Sequence, residues 1–189
     1  MMKSFKTFLL MAGFLMSAAT LNSAIAATPT PEAVFKLVAT ETAKVFGTQR
    51  ADLYVNDVSI KDTALLFLEL NTGLSTLDND YVLLEGCRVH SCIEKAATIV
   101  DLKTKRILAL ALLNFNCRLT ILKQDDIAEG DAGKRNAQKH ECESQARLDL
   151  FLVRKKSHLI DEAKLVETLQ DWGKKFGYAS EHVRIIVRP

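Results

Sequence analysis

The sequence has almost no net charge, no second long apolar run, no internal repeat, no low-complexity tract and no Cys-x-x-Cys pair. Its 189 residues carry 25 Lys and Arg against 23 Asp and Glu, and residues 1–26 hold two of the lysines and no acid. Beyond residue 26 the two signs balance. Global charge therefore argues against nucleic acid as a partner, although a local charged patch stays open. No later segment approaches 18 apolar residues without a charge, so none is expected to span a membrane. The 163 residues after position 26 read as one ordinary domain, long enough to bury a core.

The N-terminus is where apolar residues do run together. Lys3 and Lys6 form a short basic region, and Phe8 to Ala19 is mostly apolar but too short for a membrane span. Thr20, Asn22 and Ser23 interrupt it. Ala24 and Ala26 then fit the small-residue rule of a signal peptidase site. The expectation is a signal peptide over 1–26, cleaved after Ala26, and a periplasmic domain over 27–189. All four cysteines, Cys87, Cys92, Cys117 and Cys142, lie in that domain. An even count in an oxidising compartment predicts disulfides. Three pairings are possible, and the short spacing of the first two favours Cys87–Cys92 with Cys117–Cys142.

Local signals give an α+β reading. Thr30 can cap a helix, Pro31 suits its first turn, and Val34, Leu37, Val38 and Val45 follow a helical period, so a helix is expected over 31–46 with Gly47 as its stop. Leu53 to Ile60 is a weak strand candidate with mixed faces. Ala64 to Leu70 is a stronger strand-like run, with Asn71-Thr72-Gly73 as its break. Tyr81 to Gly86, Ala96 to Asp101 and Ile107 to Phe115 read as a meander, the last two joined by the polar turn Lys103-Thr104-Lys105. Asp125 to Glu143 reads as a loop and then a helix from about Lys134. Leu148 to Val153 is another strand. Leu165, Leu169, Trp172 and Phe176 form an amphipathic helical stripe from Asp161 to near Gly177, with Trp172 a core residue. Val183 to Val187 closes the chain as a strand. The fold expected is an antiparallel β-sheet meander flanked by N-terminal and C-terminal helices.

The chemistry concentrates in Cys87-Arg88-Val89-His90-Ser91-Cys92, between two strands. A bridge across so small a loop stabilises by about 2 kcal/mol in the chain-entropy view, against about 3.5 kcal/mol for the longer Cys117–Cys142 loop. Stiffening is thus a better reason for it than stability, because an ordered tip loses little entropy on binding. His90 can donate or accept hydrogen bonds at that tip. Other readings stay open: a structural staple with an incidental histidine, a metal site using His90 with Cys87 and Cys92 or with His140 and Cys142, and redox or Cys–His nucleophilic chemistry. An oxidising compartment and the spacing disfavour the last two.

The segment Tyr81 to Leu113 resembles the Ivy family, periplasmic inhibitors of vertebrate lysozyme. That family places a strand before a Cys-Lys-Pro-His-Asp-Cys-type loop and further strands after it. Here Tyr81-Val82-Leu83-Leu84 leads in, Arg88 takes the Lys position and His90 the His position, while Val89 replaces the usual Pro and Ser91 the usual Asp. The resemblance implies no enzyme and no cofactor, but a target-binding loop formed by Cys87, Arg88, Val89, His90, Ser91 and Cys92. The partner implied is lysozyme or another cell-wall hydrolase, with His90 hydrogen-bonded to its two catalytic carboxylates and Arg88 attracted to an acidic cleft. A homodimer is compatible with this. The alternatives are an immunity protein against a wall-degrading toxin and a structural envelope protein.

Overall fold

The computed structural model describes residues 29–78, 80–121, 138–154 and 161–187. The expected signal segment lies outside them. The first helix, α1 (Pro31–Phe46), has the expected bounds. The Thr30 hydroxyl accepts from the Ala33 N–H, Glu32 lies near the positive end and Lys44 near the negative end. Gly47 ends the helix at φ 52°, where a side chain is disfavoured, and its N–H returns to Ala43 O.

The next two expectations need correction. Leu53 to Ile60 is not a strand. Only β2 (Val58–Ser59) is extended, paired antiparallel with β1 (Arg50–Ala51). The intervening chain turns through Asp57 at φ 50°, held by Arg50 Nε at 2.9 Å from Asp57 Oδ1. The Ser59 hydroxyl then caps a helix by accepting from Asp62 N–H, and α2 (Ile60–Phe67) follows. Ala64 to Leu70 is thus mostly helical. Ile60, Thr63, Ala64 and Phe67 are its buried residues, at helical spacing. Asn71-Thr72-Gly73 breaks nothing, since it lies inside β3 (Leu70–Thr76), where a bulge takes up Thr72.

Three strands follow as a meander: β4 (Tyr81–Arg88), β5 (Ser91–Asp101) and β6 (Arg106–Asn114). With β3, β9 (Arg147–Arg154) and β10 (Ser180–Val187) they make a six-stranded sheet of order β10-β9-β6-β5-β4-β3. All neighbours are antiparallel except β9 and β10, which run parallel. Between those two the chain carries α3 (Glu162–Lys174), capped by Asp161. The fold is α+β as expected, in three layers. On one face α1 and α2 cover Val82, Leu84, Leu110, Leu112 and Phe151. On the other, α3 lays Leu165, Leu169 and Trp172 over Ile99, Ala111, Leu148 and Leu150. The buried Trp172 Nε1–H donates to Glu85 Oε2 at 2.8 Å, tying α3 to β4. The expected fourth member of that stripe, Phe176, lies past the helix end and is 45% exposed.

A two-stranded ribbon leaves the sheet after β6. It pairs β7 (Cys117–Ile121) with β8 (Gln138–Cys142). Lys134, where a helix was expected to begin, lies outside the described residues, and the stretch 138–142 is a strand. Cys117 sits directly opposite Cys142 and is bonded to it, which sets the antiparallel register. Beside the ribbon's base, buried Asp149 on β9 accepts from Asn114 Nδ2 at 2.9 Å and Arg147 Nε at 2.8 Å. Its other oxygen faces Arg184 and His182 on β10 at 3.8 and 3.9 Å. A buried carboxylate with charged partners from its own and the neighbouring strand favours this register over a slipped one. Among the described residues no helix is long and apolar enough to cross a membrane.

Candidate functional site

The segment 87–92 forms the closed end of the β4–β5 hairpin. Cys87 pairs with Lys95, and one residue later Arg88 pairs with Ser91. One step on β4 thus answers four on β5, so Cys92, Ile93 and Glu94 bulge out opposite the Cys87–Arg88 junction. The Cys87–Cys92 disulfide spans that bulge. Above it the chain reverses in two residues, Val89 and His90. Tight hairpin turns demand a positive φ, and His90 supplies it at 65°. Histidine tolerates this region better than most side chains. The His90 side chain is exposed and makes no hydrogen bond or ion pair with the described residues. Val89 and Ser91 beside it are half-buried, Cys92 is exposed and Cys87 is buried.

Arg88 does not project with His90. It lies on the opposite face from Cys87, where its Nη1–H donates to the nearly buried Glu94 Oε2 at 2.8 Å. Its guanidinium also sits 5.5 Å from the centre of the Tyr54 ring. Tyr54 in turn accepts the Cys117 N–H on its carbonyl oxygen, so Arg88 braces the hairpin against the 52–55 turn and the ribbon base. Its charge is paired with Glu94, while about a third of the side chain stays exposed. Both bridges expected from the spacing are present. With all four cysteines bonded, no thiolate is left to hold a metal or attack a substrate. Among the described residues no group of three or more His, Cys, Asp or Glu is placed to hold a metal ion.

What lies beside the tip is not evident from the loop motif. Ile93, in the bulge, is 63% exposed. It borders a cavity of about 470 Å³ at the loop end of the sheet, on the α3 side, which Phe115, Phe176 and Tyr178 also line. The Lys95 ammonium lies 4.7 Å from the centre of the Phe176 ring. The Tyr178 hydroxyl donates to Glu181 Oε2, and burial and then the Glu181 charge push it above the usual tyrosine range. The one sequence signal for this cavity was Ile93 itself, an apolar residue directly after the loop cysteine.

Family models, curated proteins and solved structures gave no match to this chain.

Proposed function

We propose that the protein is an exported inhibitor of a lysozyme-type wall hydrolase, and that it works by presenting His90 to the enzyme's two cleft carboxylates. The observation that carries the reading is the state of His90, an exposed imidazole at a two-residue turn closed by a disulfide, with no hydrogen bond or ion pair among the described residues. A glycosidase of this class keeps one carboxyl protonated and one ionised around the scissile bond. An imidazole can donate to the carboxylate and accept from the acid, so one side chain can satisfy both while occupying the substrate's place. The bridge and the turn hold the tip before the encounter, so little ordering entropy is lost on docking. No covalent step is needed, and the protein acts as a plug rather than a catalyst.

The test is inhibition of a panel of lysozymes and bacterial wall hydrolases by the wild type and by His90→Ala. The expected result is inhibition by the wild type that the substitution reduces at least tenfold. Absence of inhibition across the panel overturns the reading, as does full retention of inhibition by the variant.

A further inference from the structure

The loop alone is too small for the task just assigned to it. Cys87 is buried and Arg88 is held by Glu94 and Tyr54 with only about a third of its side chain exposed, which leaves little beyond Val89 to Cys92 to meet a partner. Stable protein–protein contacts cover roughly 800 Å² on each side, far more than four residues supply. More surface must take part, and it must adjoin the tip.

We propose that the cavity beside the loop is a second contact for the same glycosidase, taking an apolar side chain from the lip of its cleft; this rests on the inhibitor reading above. Three observations support it. Ile93 follows Cys92 directly, and the bulge turns it outward, so tip and cavity form one continuous surface. The cavity walls include Phe115 and the half-exposed Phe176, an apolar recess of about 470 Å³ suited to an aliphatic or aromatic anchor. Lys95 borders the recess and, among the described residues, pairs with no carboxylate. Arg88 is paired with Glu94, and Lys95 adds a cation beside the tip that complements a cleft bearing two carboxylates.

The experiment measures inhibition constants against a lysozyme that the wild type inhibits, using Ile93→Asp, Phe176→Ala and Lys95→Glu. Thermal melting and sedimentation are run on each. Ile93 is exposed, so Ile93→Asp should melt close to wild type, whereas Phe176→Ala also loses the edge-to-face contact with Trp172 and should melt a few degrees lower while staying folded at the assay temperature. Inhibition should weaken about tenfold or more for Ile93→Asp and several-fold for Phe176→Ala. Lys95→Glu should slow association, and the defect should shrink at high salt. If all three variants inhibit like wild type while His90→Ala does not, the contact ends at the loop, so this inference falls and the inhibitor reading stands. If the wild type sediments as a dimer and Ile93→Asp as an equally inhibitory monomer, the recess serves a second copy of the chain and the inference is again overturned. If the wild type inhibits no lysozyme, both readings fall together.

Discussion

Replacing His90 by glycine should weaken inhibition steeply without lowering stability. His90 sits at φ 65° and its side chain bonds to nothing among the described residues. The left-handed region costs an L-residue about 1–2 kcal/mol, and histidine bears the lower part of that range. Glycine removes this cost but loses about 0.5–1 kcal/mol more backbone entropy on folding. The net change is between zero and about +1 kcal/mol. At 2–4 °C per kcal/mol for a domain of this size, His90→Gly should melt between no change and about 4 °C above wild type. Inhibition should fall steeply. Leaving two cleft carboxyls desolvated without a partner costs about 2–5 kcal/mol, or roughly 30-fold to several thousand-fold in affinity. Calorimetry and an inhibition titration on the same preparations read both quantities. A melting temperature several degrees below wild type would mean that the imidazole braces the hairpin, and the reasoning from an unbonded tip would be wrong. Unchanged inhibition would refute the assigned role from the other side.

Other substitutions test the frame. Cys87→Ala with Cys92→Ala should cost about 2 kcal/mol and weaken inhibition, whereas Cys117→Ala with Cys142→Ala should cost about 3.5 kcal/mol and leave inhibition less affected; melting and inhibition of both double variants decide this. Gly86→Ala should lower the melting temperature by at least about 2 °C, because a Cβ there lies 2.7 Å from Leu70 O and 2.9 Å from Leu68 Cα, backbone atoms that cannot rotate away. Glu162→Gln removes a two-pronged pair with Arg154, whose hydrogen bonds hold the Glu162 carboxyl below its ordinary pKa. A lowered folded-state pKa means stability that is present above the unfolded value of about 4.3 and lost as pH falls through the folded one. The variant should therefore lose up to about 1 kcal/mol at neutral pH, and the gap should close in acid; urea unfolding at several pH values shows it.

The elements that the sequence announced clearly are those where local and tertiary signals agree. Thr30, Pro31 and Gly47 punctuate α1, and the stripe Leu165, Leu169, Trp172 marks α3. The apolar runs of β5, β6 and β9 are buried between two helical layers, and there continuity itself is the signal. That same continuity misled at Ala64 to Phe67. Residues covered on most sides lose their period, and the evidence for helix lay one turn earlier, in Ser59 as cap and in Ile60 and Thr63. The ribbon strand at 138–142 is polar and held by a partner 25 residues away, so nothing local marks it. At the site, the bridge across the loop was legible from the cysteine spacing, whereas the role given to His90 came from the family resemblance. The pairing of Arg88 with Glu94 and its place over Tyr54 were not legible, because they depend on a three-residue bulge and on a ring far off in sequence. The recess at Ile93 was hidden for the same reason.

Trp172 gives the molecule a built-in optical probe. It is the chain's one tryptophan, so indole emission comes from a single known place. That place is the seam between α3 and β4, where the ring is almost wholly covered and its N–H rests on Glu85. The indole also meets the Phe176 ring at 5.4 Å, edge to face, and Phe176 walls the recess beside the hairpin tip. Fluorescence from the free protein therefore reports on the joint between α3 and the sheet, while far-UV circular dichroism reports on all ten strands and three helices described. Following both during unfolding separates detachment of one helix from collapse of the whole, without adding a label.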